Sequence, residues 1–562
     1  MNILGISDSQ DAGAALIKDG EIIAAVNEER LNRVKLFGGL PLLSIQKVLE
    51  IGKLTPEQID LVVLASKMSP ITLMRLLRNT HQRLRQRSLQ FGYLLNLYLL
   101  YQVFAHRCIF PKEIEAFLSS RLIQKQLGKI GLNAKVVTVD HHLAHACAAF
   151  SSSNLKRALI FTIDGLGDGL VVTVSIGQEN GTVRKIYEQT GLSAITLYYS
   201  RITEFLGFIP IKDEGKVTGL AAYGNEGKAI DYAKSLLWCR SKGFNRHNYF
   251  LKQNKNRGIY TELKRFARQD TAAAFQHNLE NELKKFILFW IKKTGIRDLA
   301  FAGGLFANVK LNQRIHRLSE VDSVYIFPHM GDGGLAIGAA FSQIKRPPFR
   351  LSNLFFGPEY SNQEIENELK NYNFHYEYVH AIEKKIAQLL AQGKIVARFR
   401  GRMEYGPRAL GNRSILYQPT DSTTRKWLNR KLDRTDFMPF APSTLAEYFG
   451  QCYLNPQGAT YTAEFMNISF DCTEWMKKMC PGIVHVDETA RPQLVRRENN
   501  PGFYLILDEY RKITGLPSIL NTSFNMHEHP IVCTPGEAIE AFKQAQLDYL
   551  AIGNYLVRRL TK

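Results

Sequence analysis

Cysteine is scarce in this chain, seven residues in 562, with no CxxC pair and no regular spacing. A disulfide scaffold is therefore not expected, and the set fits a reducing cytosol. There is no low-complexity tract and no short tandem repeat. With 45% hydrophobic and 22% charged residues, the composition excludes a disordered, collagen-like or coiled-coil chain. The N-terminus, MNILGISDSQD, has no basic stretch followed by an apolar one, so no signal peptide is expected. Long hydrophobic runs are also missing. The most apolar segment, Leu89 to Phe110, is interrupted by Gln90, Asn96, Gln102, His106 and Arg107. A spanning helix needs about 20 predominantly apolar residues, so this segment is not read as one. Neither GxxxxGK[ST] nor GxGxxG occurs. Acid is in short supply: Lys+Arg 72 against Asp+Glu 52 leaves a formal charge of +20. That excess favours anionic partners and says nothing about fold.

The length predicts about three to five domains or subdomains. The first 27 residues read as a strand, a polar loop, a second strand, a turn at Asp19-Gly20 and a third strand. The pattern recurs from about residue 158, with RALIFTIDG, GLVVTVSIG and a turn at Asn180-Gly181. Such an α/β duplication around a cleft resembles the actin-like ATPase fold of sugar kinases, Hsp70 and actin. Between the halves lies a helical, arginine-rich insert, 64–132, with Arg75, Arg78, Arg83, Arg85 and Arg87 preceding the apolar segment. It is read as packing on its own domain or on a second subunit, as in a homodimer. Peripheral contact with an anionic membrane is the less favoured alternative. Pro347-Pro348 and Gly357-Pro358 punctuate a linker at 346–361. The expected domains are 1–345 and 362–562.

Three constellations carry chemistry. In VTVDHHLAHACAAF a strand runs into Asp140, and His141, His142 and His145 open a helix. His141 and His145, four apart, share one helix face. His142 and His145 would also lie near each other. Asp164 and Asp332 each sit in a glycine-rich turn after an apolar run. Two imidazoles and two carboxylates suit iron, manganese or zinc. Second, the loops TIDGLGDG, FAGGLFAN and MGDGGLAIG offer exposed backbone N–H groups for nucleotide phosphate. They contain Gly165, Gly167, Gly303, Gly304, Asn308, Asp332, Gly333 and Gly334. Third, GRMEYGPRALGNRSI brings Arg402, Arg408 and Arg413 into one segment, and DETARPQ adds Arg491. LNTSFNMHEHP adds Asn521, Thr522, Ser523 and Asn525. Arginines set among Gly, Pro and apolar residues do not look like a solvated face. They form a candidate phosphate or carboxylate site.

Ten motifs in chain order resemble the O-carbamoyltransferase family of nodulation and antibiotic-tailoring enzymes: AALIKDGEIIAAVNEERLNRVK, DHHLAHA, DGLGDG, EGKVTGLAAYG, GGLFANVKLN, GDGGLAIGAA, GRMEYGPRALGNRSI, MPFAPS, DETARPQ and NTSFN. The resemblance implies an actin-like N-terminal domain similar to tRNA threonylcarbamoyl-transfer proteins. It implies a smaller α/β C-terminal domain, YrdC-like, that forms carbamoyl adenylate from carbamoyl phosphate and ATP with Mg. The N-terminal domain, holding Fe(II), would then pass the carbamoyl group to an acceptor hydroxyl. On this resemblance the metal ligands are His141, His145, Asp164 and Asp332. The catalytic residues are Asp11, Lys35, Arg408, Arg413 and Arg491, and Arg402 and Lys431 join the cofactor-binding set.

Two departures stand out. Gln10 occupies the place where the family has a His before Asp11. Asp433 lies near the place of a family Lys, between Lys431 and Arg434. The expected partner is a small-molecule or glycan acceptor with a free hydroxyl. No tRNA-binding module or aromatic–basic alternation appears, so nucleic acid is not expected. A threonylcarbamoylation-like tRNA enzyme and a non-catalytic relative are the alternatives.

Overall fold

The computed structural model describes residues 1–77, 92–191, 195–240, 243–246, 259–433 and 439–559. Arg78, Arg83, Arg85, Arg87, residues 89–91, Arg434 and Met438 lie outside them. The chain is mixed α/β. It divides into two compact units, Met1–Ala25 with Leu36–Leu351, and Val26–Lys35 with Ser352–Lys562. The sequence places Val26–Lys35, and so Lys35, inside a 1–345 domain. The structure groups that segment with the second unit instead. The reason is a set of long-range contacts: Arg33 donates to the carbonyls of Ile531 (2.9 Å) and Pro530 (2.7 Å), and Arg30 to that of Gly406 (2.8 Å).

The first unit is built on two five-stranded sheets. One comprises β1 (Asn2–Ser7), β2 (Gly13–Lys18), β3 (Glu21–Asn27), β4 (Leu61–Ala65) and β5 (Lys135–Val139), in the order β3-β2-β1-β4-β5. The next strands are β6 (Ala158–Gly167), β7 (Leu170–Gly177) and β8 (Val183–Thr190). A separate pair, β9 (Leu237–Arg240) and β10 (Gly243–Arg246), precedes β11 (Asp298–Ala302) and β12 (Ser323–Ile326). The second large sheet has the order β12-β11-β6-β7-β8. In the first sheet β1 runs antiparallel to β2 and parallel to β4, which is parallel to β5. In the second, β6 runs antiparallel to β7 and parallel to β11, which is parallel to β12. The two sheets share one strand order. Their central strands are near-continuous apolar runs, as burial on both faces requires.

The hairpin turns fall where the sequence predicts. Asp19 (φ 50°) and Gly20 (φ 86°) both take left-handed backbone, the geometry that matches strand twist. The helical segment lies between β4 and β5, with helices at Gly92–Arg107 and Ile109–Gly128. Among the described residues no helix is long and apolar enough to cross a membrane.

Small residues set the packing that matters for the site. The helix Leu335–Phe341 lies on the helix His141–Ser151 so closely that a Cβ at Gly338 would stand 1.9 Å from the Ala144 carbonyl oxygen. This close approach seats the turn that holds Asp332 beside the histidine helix.

The second unit carries an eight-stranded sheet. Its strands are β13 (His375–Tyr378), β14 (Val396–Phe399), β15 (Arg413–Tyr417), β16 (Ala441–Leu445), β19 (Gln493–Val495), β20 (Ser518–Ser523), β21 (Tyr549–Ile552) and β22 (Tyr555–Arg558). β17 (Phe470–Asp471) and β18 (Thr489–Ala490) form a separate small pair. The sheet order is β13-β22-β21-β14-β15-β20-β16-β19. The helices Ile382–Ala391 and Pro501–Thr514 contribute Ile386, Leu390, Phe503 and Leu507 to its core.

Candidate functional site

Asp140 starts the histidine helix. Its Oδ1 accepts from the main-chain N–H groups of His142 (3.1 Å) and Leu143 (3.3 Å), an N-terminal cap. His141 and His145 then fall on one face. Strand β6 loses register with β7 between Ile163 and Gly167, which releases Asp164 from the ladder. Donor atoms of His141, His145, Asp164 and Asp332 all lie within 4.8 Å of one another. His141 Nε2 is 3.4 Å from Asp164 Oδ2 and 3.6 Å from Asp332 Oδ1. His145 Nε2 is 3.6 Å from the same Asp332 oxygen. Both Nε2 atoms are buried and have no hydrogen-bond partner. His142 turns elsewhere, its Nδ1 2.7 Å from Thr162 Oγ1.

An outer ring holds these groups. Ser66 Oγ lies 2.8 Å from His141 Nδ1, which leaves Nε2 facing the carboxylates. The Gly304 N–H donates to Asp164 Oδ1 (2.7 Å), and Ser9 Oγ donates to Asp332 Oδ2 (3.1 Å). Asp168 accepts from the N–H groups of His141, Lys67 and Met68. Asp8 and Arg75 form a buried ion pair (2.7 Å). Such outer partners orient metal ligands. The sequence reading missed Ser66, Asp168 and the Asp8–Arg75 pair. Only Asp168 had a signal, as the second aspartate of DGLGDG.

The electrostatics follow from burial and the facing carboxylates. Burial alone would lower His141, but Asp332 and Asp164 outweigh it and raise the imidazole to about 9. Burial, with the neighbouring imidazoles, lowers His142 to about 3, so it is neutral. Against its burial, the two histidines hold Asp164 below the usual carboxylate range. Two part-buried carboxylates facing two unpartnered imidazole nitrogens form a pocket that a divalent cation fits.

Tight packing leaves no room to alter this pocket. A Cβ at Gly167 would stand 2.1 Å from His141 Cδ2. Gly167→Ala is therefore expected to destabilise the fold by about 1–3 kcal/mol through overpacking. Urea unfolding of wild type and variant measures this, and an unchanged midpoint would contradict the contact.

The remaining glycines frame the same region. Gly303 has left-handed backbone (φ 103°), and a side chain at Gly165 would meet nothing within 4 Å. Gly333 lies against His329 and Asp11, and Gly334 against the His329 carbonyl. Asp11 Oδ2 is 3.7 Å from the Nε2 of buried His329, an imidazole the sequence reading did not single out. Asn308 was expected to bind cofactor. The structure uses it to cap the helix Val309–His316 and to bond Gln276 (2.9 Å).

In the second unit Arg408 and Arg491 lie near each other. Burial lowers Arg408 to about 10. It lowers Arg491 well below the usual guanidinium range, and the like charge of Arg408 adds to the effect. Arg408 Nε is buried with no hydrogen-bond partner. Among the described residues no carboxylate faces these two neighbouring guanidinium groups, which makes the site short of an anion. The loop carrying Arg408 is braced from several sides. Glu404 Oε1 accepts from the N–H groups of Leu410 (2.9 Å), Asn412 (2.8 Å) and Arg413 (3.1 Å). Asn521 donates to the Ala409 carbonyl (3.2 Å), and Gln493 to that of Leu410 (2.9 Å). Glu404 and Gln493 carried no sequence signal beyond lying in the motifs.

Other expected residues do not join this pair. Arg413 is fully buried and donates to the carbonyls of Arg400, Gly401, Asn412 and Pro358, with its guanidinium 3.7 Å from the Phe399 ring centre. Both terminal nitrogens are committed to the backbone, so it braces the loop, while its Nε is buried without a hydrogen-bond partner. Arg402 likewise donates to Gly357 (3.2 Å) and Phe356 (2.7 Å) carbonyls. Lys431 ends the helix Thr424–Lys431, and Asp433 beyond it has left-handed backbone (φ 56°). Thr522 lies on β20 opposite Ile415. Ser523 and Asn525 bond each other (2.5 Å), and Asn525 holds the His529 carbonyl (2.8 Å).

Comparison with known proteins bears on what these sites serve. Residues 2–341 match the family model of the carbamoyltransferase N-terminus, and residues 387–559 that of the carbamoyltransferase C-terminus. An uncharacterised protein of Methanocaldococcus jannaschii is 32% identical over 99% of this chain and 100% of its own. Nodulation protein NolNO of Sinorhizobium fredii is 31% identical over 98% of this chain and 79% of its own. Among solved structures, (R)-2-hydroxyglutaryl-CoA dehydratase component A of Acidaminococcus fermentans aligns with 61% of this chain and 97% of its own. The TM-score is 0.33 and the identity 16%, too loose a match to bear on the fold. With both family models matched in chain order and such relatives along its length, the chain belongs to the carbamoyltransferase family and is a carbamoyl-transferring enzyme.

Proposed function

We propose that the enzyme is an ATP-dependent O-carbamoyltransferase with an actin-like first unit and a YrdC-like adenylate-forming second unit. The observation that carries the reading is the neighbouring, half-buried Arg408 and Arg491, which no carboxylate among the described residues faces. Carbamoyl phosphate and the ATP phosphates are anions of the required kind. A carbamoyl group is a poor electrophile, because nitrogen donates into its carbonyl. Activation as an adenylate supplies a better leaving group. The atoms balance when water releases phosphate from carbamoyl phosphate and the carbamate oxygen attacks the α-phosphorus of ATP, expelling pyrophosphate. Attack by an acceptor hydroxyl then forms the carbamate ester and releases AMP. Arg408 and Arg491 hold phosphate oxygens in line and offset their charge, and Glu404, Gln493 and Asn521 keep the arginine loop in place.

In the first unit His141, His145, Asp164 and Asp332 would hold a divalent cation, with iron(II) favoured over manganese or zinc. Bound there, it would stabilise charge that develops at the carbonyl or phosphate during transfer. Gln10 has no basic nitrogen with which to take a proton. In this reading the Asp11–His329 pair receives the proton of the acceptor hydroxyl. The acceptor is a hydroxyl of a sugar, a glycan precursor or a natural product.

The direct test is pyrophosphate release from ATP by purified protein, with and without carbamoyl phosphate. Release that requires carbamoyl phosphate is the expected result. Absence of release from folded, metal-loaded protein would sink the adenylation step.

A further inference from the structure

Arg75 lies on the helix Thr72–Leu76, in the insert that carries none of the family motifs. Its side chain is 1% exposed, and a buried guanidinium must find partners for its donors. Nε and Nη2 donate to the two carboxylate oxygens of Asp8 (2.7 and 3.1 Å), a bidentate pair. Nη2 also donates to the Ser66 carbonyl (3.2 Å), and Nη1 to Ser119 Oγ (2.5 Å). One side chain thus ties the ends of β1 and β4 to the helix Ile109–Gly128. The same helix reaches the start of the histidine helix, where Lys112 Nζ is 3.0 Å from Asp140 Oδ2.

Both strand ends lie next to residues of the cation cluster. Asp8 precedes Ser9, whose Oγ donates to Asp332 Oδ2 (3.1 Å). Ser66 has left-handed backbone (φ 79°), which a residue with a side chain adopts only where its surroundings impose it. Two bonds impose it here. The Ser66 N–H donates to the Val139 carbonyl (2.9 Å), and the Ser66 carbonyl accepts from Arg75. In that conformation the hydroxyl lies 2.8 Å from His141 Nδ1. A nitrogen that ligates a cation carries no hydrogen. With Nε2 as the ligand, the ring proton of His141 belongs on Nδ1, where Ser66 Oγ accepts it. We propose that Arg75 is a positioning residue of the cation site: it fixes Ser66 and the Asp8–Ser9 segment, and through them the orientation of His141 and Asp332. The inference rests on the cation reading of the first unit. A pair kept only for folding would leave cation affinity alone.

Titration of cobalt(II) alone into the metal-stripped, full-length protein tests this, read by visible absorption and chelator competition. Replacing a buried ion pair by apolar residues is often neutral for stability, whereas removing one partner is strongly destabilising. Asp8→Leu combined with Arg75→Met is therefore expected to keep the fold, checked by thermal unfolding, and to weaken cobalt(II) binding about 10–100-fold. Ser66→Ala is expected to weaken it by the same order. All three substitutions together are expected to fall short of the product of the two effects, because Arg75 acts in part through Ser66. If the double variant does not fold, Arg75→Lys takes its place. It keeps a charge facing Asp8 but lacks the planar fork that reaches Asp8 and Ser66 together. Wild-type affinity and spectrum in a folded Arg75 variant would overturn the inference, as would effects that multiply in full. Wild-type protein that binds cobalt(II) no more tightly than Asp332→Asn would remove the cation site itself, and this inference with it.

Discussion

Arg491→Ala is expected to lower carbamoyl-phosphate-dependent pyrophosphate release about a hundredfold or more. The size of the effect follows from the setting. A guanidinium aimed at phosphate makes charge-assisted, bidentate bonds, and removal of one preorganised donor from a water-poor site costs about 10²–10³ in rate. Arg491 already stands depressed by burial and by Arg408, so the metal-free, ligand-free protein holds two like charges in tension. Loss of one of them should leave folding stability unchanged or improved while activity falls. That divergence separates a ligand-binding arginine from a structural one. Arg413→Ala supplies the contrast, because it strips a fully buried group from four carbonyls and should reduce stability and activity together. If Arg491→Ala keeps wild-type release, the anion site is misassigned. Stability lost in parallel with activity would point to a bracing role.

Asp332→Asn is expected to abolish retention of metal. Among the described residues, Asp332 Oδ1 is the one carboxylate oxygen within 3.6 Å of both His141 Nε2 and His145 Nε2. Loss of an outer partner of a metal ligand already costs about 10–100-fold in affinity, and loss of a ligand costs at least that. Metal content after dialysis, read by elemental analysis, checks the prediction. Retention at the wild-type ratio would exclude this cluster as the site.

The metal-stripped protein carries a pH signature of the same contact. His141 is raised from its ordinary 6.5 to about 9 by carboxylates that overcome its burial. A group whose pKa rises on folding adds stability that is complete below the unfolded value and is lost as pH climbs through the folded one. The stripped wild type is therefore expected to lose stability between about pH 6.5 and pH 9. Asp332→Asn removes a principal cause of the shift and should flatten that dependence.

Several features were legible along the chain because they depend on near neighbours. The apolar runs of β1, β4, β6 and β11, and the turns at Asp19-Gly20 and Asn180-Gly181, are local matters of pattern and backbone preference. The spacing of His141 and His145 follows from helix geometry once Asp140 caps the helix. The order of the carbamoyltransferase motifs was likewise readable without coordinates.

Tertiary structure decided what each motif residue does. Arg408, Arg413 and Arg402 look alike in sequence. Only the fold shows that two donate to backbone carbonyls and one stands beside Arg491. Asn308 looks like a ligand group until the start of its helix is known. Ser66 is 75 positions from His141, and Asp168 joins three N–H groups drawn from two segments. No period or spacing encodes such partners, since they meet only when separate strands of a sheet end at the same edge. Val26–Lys35 shows the same limit, for its two arginines grip carbonyls several hundred residues away. The sequence by itself determined which residue types reach the site and in what order. Long-range packing determined which of them keep free donors there, because a buried polar group must find a partner, and its nearest partner is set by the fold.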